Sequence, residues 1–146
     1  MASKLYKEIL IATGDKESTR NAIDYGIELA RVTEARLHVI FVIDTASSSQ
    51  VPLDADWESA SHELKQLGEE VTKYIADSAQ AKGLKVIRYI VEGHPVEEIM
   101  KYANRNSVDL IILGKTQKRW LDRFLLGSVS ENVVRSSKIP VLVAPF

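Results

Sequence analysis

Five short runs of mainly aliphatic residues recur along the chain, and segments with helical spacing separate them. Runs of this length, with almost no polar interruption, are typical of strands that are buried on both faces of a parallel sheet. Parallel neighbours need long crossovers, and helices supply them here. The pattern predicts an α/β fold with a doubly wound, five-stranded parallel sheet and helices on both faces. The predicted strands are Tyr6–Thr13, Leu37–Val42, Val86–Val91, Val108–Leu113 and Pro140–Ala144.

Four helices are predicted between these strands, from apolar residues spaced by three or four positions. In the first, the apolar stripe runs from Ala22 to Val32 and is expected to lie on the sheet. Gly83 is the predicted C-cap of the second helix, and Pro95 fits the first turn of the third. The predicted helices are Glu17–Thr33, Trp57–Lys82, Pro95–Asn106 and Ser128–Ser137.

The size and charge of the chain narrow its class. Its 146 residues suit one domain spanning residues 1–146, without an internal repeat. Cysteine is absent, so disulfides and thiolate chemistry are excluded, and a reducing cytoplasm is the expected location. The net charge of -1 gives no reason to expect a nucleic-acid or membrane partner.

A basic loop follows the fourth predicted strand and leads into the fourth predicted helix. It closes at Gly127–Ser128, and Ser128 with Glu131 has the spacing of a capping box. Because the free amides at a helix start favour anions, the segment predicts an anion-binding loop. A solvated basic loop that ends in a plain helix cap is the simpler interpretation, and both stay open. The cations of the loop are Lys115, Lys118, Arg119 and Arg123.

The same segment resembles the signature of the universal stress protein family. That signature has a glycine, two residues, a second glycine, nine residues, and then glycine with serine or threonine. Gly114, Gly127 and Ser128 match it, whereas Gln117 stands at the second glycine. The resemblance extends along the whole chain. It implies the adenine nucleotide alpha hydrolase-like, Rossmann-like fold with strand order 3-2-1-4-5 and a ligand crevice between strands 1 and 4.

The family resemblance also implies a function and a site. A regulatory protein that binds ATP in this crevice is expected, with Mg²⁺ carried on the phosphates. Base and ribose would meet Ala12, Thr13, Asp15 and Val42. Ribose and phosphates would meet Gly114, Gln117, Gly127, Ser128 and Val129. A homodimer through the C-terminal strand is implied as well, and the absence of charge from 140 to 146 agrees with a covered edge.

Two departures from the family pattern favour an alternative function. Family members that bind ATP usually carry aspartate directly after the threonine, where this chain has Gly14, and Gln117 is the second departure. The alternative is a dimeric interaction protein of the same family that binds no nucleotide. A third interpretation, an electron-transfer flavoprotein relative or another enzyme, shares only the architecture. No residue is predicted to act as a general base, so hydrolysis of a bound nucleotide would be slow at most.

Overall fold

The computed structural model of the protein describes residues 5–14, 19–44, 57–114 and 128–145. Strands and helices alternate strictly through these ranges, and each strand except the last leads into a helix. The elements are β1 (Glu8–Thr13), α1 (Arg20–Thr33), β2 (Arg36–Asp44), α2 (Trp57–Gln80), β3 (Val86–Gly93), α3 (Pro95–Arg105), β4 (Leu110–Gly114), α4 (Ser128–Ser136) and β5 (Val141–Ala144).

The five strands form one parallel sheet in the order β3-β2-β1-β4-β5. β1 is central, because Ile9 is in register with Leu37 of β2 on one side and with Leu110 of β4 on the other. β3 and β5 are the two edges, next to β2 and β4 respectively. The predicted fold class and strand order are therefore confirmed.

Each face of the sheet has its own apolar core. Side chains alternate between faces along a strand, so Ile9 and Ile11 of β1 pack with α1 and α2, whereas Leu10 and Ala12 pack with α3 and α4. All four of these side chains are buried. Burial of an isoleucine or leucine side chain is worth about 1.5 to 3 kcal/mol, which holds the helices to both faces as predicted.

Several predicted boundaries are wrong by a few residues. α1 begins at Arg20 rather than Glu17, because Thr19 has non-helical dihedral angles, with φ -114° and ψ 8°. β4 begins at Leu110 rather than Val108, since the amide of Val108 donates to a carbonyl of α3 instead of to a neighbouring strand. Gly83 does have a positive φ of 83° after α2, as its predicted turn requires.

Val32 is the one member of the predicted α1 stripe that the sheet does not bury. Its side chain is 53% exposed, whereas Ala22, Ile23, Ile27 and Ala30 are all buried. The stripe on the sheet is therefore narrower than the sequence pattern indicates. None of the helices in the described ranges is long and apolar enough to cross a membrane.

Candidate functional site

A crevice of about 240 Å³ opens at the carboxyl ends of β1 and β4. At this point the chain leaves β1 for α1 on one face of the sheet and leaves β4 for α4 on the other. Because the two connections diverge, the space between the strand ends stays open, which is where open α/β sheets hold ligands. The strand ends contribute Ala12, Thr13, Gly14, Ile40, Val42, Leu113 and Gly114, and the helical side contributes Thr19, Pro95, Ile99, Val129 and Ser130.

Hydroxyl groups tie the helix starts to the strand ends around the crevice. The Thr13 hydroxyl donates to the carbonyl of Gly14 at 3.0 Å, so it accepts from the Thr19 hydroxyl, which lies 3.1 Å away. On the other side, the buried Ser130 hydroxyl donates to the carbonyl of Gly114 at 3.1 Å. The rim is therefore held by short local bonds, as a preformed ligand site requires.

The described walls of the crevice are neutral. None of the lining residues in the described ranges has a charged side chain, and most of the surface comes from aliphatic groups with hydroxyls at the rim. Such a surface suits a flat, uncharged group such as a nucleobase, together with a hydroxylated group such as a ribose. No group of His, Cys, Asp and Glu within these ranges is arranged to hold a metal ion.

The structure brings together five of the nine predicted site residues. Ala12, Thr13, Val42, Gly114 and Val129 all line the crevice, although nothing in this geometry tests their contact with a ligand. The remaining predictions are Asp15, Gln117, Gly127 and Ser128. The first three lie outside the described residues, as do the loop cations, and only the backbone of Ser128 at the start of α4 is described.

Sequence reasoning missed several residues of the crevice wall. Pro95 and Ile99 come from α3, which follows β3 at the far edge of the sheet. The crossover from β3 to β4 must pass over β2 and β1, so the helix start reaches the crevice, and the strand order alone contains this signal. Thr19 and Ser130 were also missed, since a hydroxyl beside a helix start is expected of a plain cap and does not by itself indicate a binding site.

Comparison with known proteins adds an independent observation. The model of the universal stress protein family matches residues 5–145. The universal stress protein MJ0531 of Methanocaldococcus jannaschii is 36% identical over 139 residues, which cover 95% of this chain and 82% of that protein. This chain belongs to the universal stress protein family.

Solved structures of universal stress proteins share the fold over nearly the whole chain. MJ0577 of Methanocaldococcus jannaschii superposes with a TM-score of 0.77 at 33% identity and 97% coverage of both chains. A universal stress protein in complex with cAMP has a TM-score of 0.74 at 23% identity, with 96% and 97% coverage. A third, from Archaeoglobus fulgidus in complex with dAMP, has a TM-score of 0.69 at 17% identity, with 96% and 98% coverage. At these identities the last two comparisons establish the shared fold alone.

Proposed function

We propose that this universal stress protein binds ATP in the crevice between β1 and β4 and acts as a nucleotide-dependent regulator. The observation that carries the proposal is the neutral, hydroxyl-rimmed cleft at the switch point of the sheet. Two structural neighbours, solved with cAMP and with dAMP, support the choice of an adenine nucleotide.

The proposed pose follows the chemistry of the walls. Adenine lies against the aliphatic side chains of Ala12 and Val42, and the ribose lies near Thr13. The phosphates extend toward Gly114 and the start of α4, because helix starts favour anions. Asp15, Gln117, Gly127, Ser128 and Val129 complete the proposed contact set.

Magnesium enters this proposal as a partner of the phosphates. The described lining residues include no carboxylate, so this part of the chain offers Mg²⁺ none of the oxygen ligands that it prefers. The triphosphate oxygens would therefore hold the ion. The same lining contains no candidate general base, and the proposed role is binding rather than turnover, with slow hydrolysis at most.

The alternative function, a nucleotide-free interaction protein of the same family, has one structural observation in its favour. The crevice measured from the described residues, about 240 Å³, is smaller than the roughly 300 to 1,000 Å³ that is usual for ligand pockets. The nucleotide content of freshly purified, heat-denatured protein separates the two functions. Release of ATP in near-stoichiometric amount supports the proposal, and protein free of nucleotide supports the alternative.

The first prediction concerns affinity measured by calorimetry with Mg²⁺ and ATP. Val42→Trp fills the crevice and should abolish the heat of binding, whereas Val134→Trp, on a side chain that is 45% exposed on α4, should leave it unchanged. Gln117→Gly restores the family glycine and should tighten binding about tenfold to a hundredfold, the value of one charge-assisted hydrogen bond. The crevice is not a nucleotide site if wild type and Gln117→Gly both give no heat at millimolar ATP.

A further inference from the structure

His38 is a buried histidine at the centre of a polar chain that crosses three elements. Its ring lies in β2 and is 2% exposed. Nδ1 is 2.7 Å from the hydroxyl of Tyr102 on α3, and Nε2 is 3.0 Å from Oε2 of Glu8 at the start of β1. The crevice opens toward the carboxyl ends of these strands, and none of Glu8, His38 and Tyr102 lines it, so the cluster takes no part in the proposed ligand contacts.

The hydrogen-bond partners indicate which atoms of Glu8, His38 and Tyr102 carry hydrogens. An ionised carboxylate only accepts, so Nε2 of His38 carries the hydrogen that faces Glu8. In the tautomer with this hydrogen alone, Nδ1 accepts from the hydroxyl of Tyr102. Burial raises the pKa of Tyr102, which keeps its hydroxyl protonated as a donor. Burial also raises the pKa of Glu8, but hydrogen bonds from Arg36 and His38 outweigh burial and bring it below the usual value.

Other polar groups hold the cluster from its remaining sides. Arg36 donates to both carboxylate oxygens of Glu8, and the Asp109 carboxylate accepts from the backbone amides of Lys7 and Glu8. Tyr89 of β3 covers Tyr102, with 5.0 Å between the ring centroids. Each ring nitrogen of His38 is thus satisfied in a fixed direction, which apolar packing alone does not provide.

The hydrogen bond between His38 and Tyr102 joins β2 to α3, and these two elements form one wall of the crevice. On α3, Ile99 lines the crevice and lies one turn before Tyr102, on the same side of the helix. On β2, Ile40 lines the crevice and lies two residues after His38, on the same face of the sheet. The spacing between Ile99 and Ile40 therefore depends on how α3 is seated beside His38.

We propose that Tyr102 and His38 are positioning residues that seat α3 on β2 and thereby set the width of the nucleotide crevice. Neither residue touches the ligand. The effect on affinity rests on the proposed function, whereas the seating of α3 does not, and the two can be measured separately.

The test compares Tyr102→Phe with Tyr25→Phe. The first variant removes only the hydroxyl that faces His38, and the second makes the same change on α1, where the side chain is 48% exposed. Amide hydrogen exchange and the affinity for ATP with Mg²⁺ are measured on both variants and on wild type. In Tyr102→Phe, we expect about two- to tenfold faster exchange in α3, unchanged exchange in α2, and about two- to tenfold weaker binding. Tyr25→Phe should match wild type in all three.

The outcomes separate positioning from plain stability. Unchanged exchange in α3, or equally faster exchange in α1, α2 and α3, overturns the seating role. Faster exchange in α3 with unchanged ATP affinity overturns the link to the crevice. If wild type binds no ATP, the proposed function fails alone, and the seating of α3 is still decided by exchange and by ¹⁵N spectra of His38. The spectra should show a hydrogen on Nε2 of His38 in wild type, and an Nε2 without a hydrogen contradicts the arrangement.

Discussion

Glu8 has a carboxylate that is mostly buried and paired with two basic side chains in the described structure. Its side chain is 14% exposed, and its carboxylate pairs with Arg36 on the surface and with His38 in the interior. The net effect of burial and these partners is a pKa below 4.5, the ordinary value for this group. A carboxylate with a lowered pKa stabilises the fold above its ordinary pKa, and the contribution is lost as pH falls through the folded-state pKa.

At the scale of this residue, we predict that Glu8→Gln reduces the loss of unfolding free energy that accompanies a fall in pH from 7 to 3. The free energy of unfolding should fall by about 1 kcal/mol at pH 7, where the charge-assisted bonds are lost, and by little at pH 3. Glu28→Gln is the matched control, because Arg31 lowers the pKa of Glu28 while its side chain is 53% exposed and screened by solvent. Denaturant unfolding from pH 3 to 7 measures both, and an equal reduction in the two variants would contradict the role of Glu8.

His38 also shows that the sequence predicts the element a residue belongs to but not its side-chain partners. The sequence places it within an aliphatic run, which indicates a strand. Its partners are 30 and 64 positions away, at Glu8 and Tyr102. Nothing local to the run points to either partner. They become evident only once β1 and β2 are in register and α3 is seated on the same face.

At the scale of elements, the strands were predictable because local composition determines them, whereas the contribution of α3 to the crevice wall was not. An aliphatic run identifies β1 wherever its neighbours lie. The contribution of Pro95 to the crevice depends instead on the path of α3 across the sheet, which is a property of the order of all five strands. The residues at the strand ends, such as Thr13 and Gly114, could be predicted to lie together, because the carboxyl ends of parallel strands lie at the same edge of the sheet.

The packing of α1 on the sheet depends on a glycine in the middle of the helix. A Cβ at Gly26 would lie 2.7 Å from Cγ1 of Ile11 and 3.5 Å from Cδ1 of Ile112. Helix propensity favours Gly26→Ala by about 1 kcal/mol, whereas overpacking costs about 1 to 3 kcal/mol. We therefore predict a net loss of stability in urea unfolding. A gain would mean that α1 moves away from β1 at little cost.

At the scale of the whole molecule, the two edges of the sheet differ in charge. β3 carries Arg88 and Glu92, whereas β5 contains no charged residue. Exposed edges without charge invite pairing with another strand. Beside β5, Asn21 of α1 donates to the carbonyl of Pro145. The lack of charge on this edge favours β5 as the contact of the homodimer that the family resemblance implies.

To test this contact, we compare two variants, each with one lysine in an edge strand of the sheet. Leu142→Lys puts a charge on β5 and should give a monomer by light scattering, because two antiparallel copies of β5 would bury that side chain at a twofold contact. Ile87→Lys makes a comparable change on β3, where the side chain is 39% exposed, and should leave the dimer intact. Thermal unfolding of both variants checks that each is folded. A dimer that survives Leu142→Lys but not Ile87→Lys would move the contact to β3.

The central place of β1 also affects how the chain is synthesised. Ile9 pairs with Leu37 on one side, but its neighbour on the other side is Leu110. At about 5 to 20 residues per second, roughly 4 to 15 s pass on the ribosome between these two partners. During that interval the edge of β1 that will face β4 has no partner strand in the synthesised chain, because β3 pairs with β2 instead. The strand that becomes the central one in the sheet thus keeps one edge unpaired for much of the synthesis of the chain.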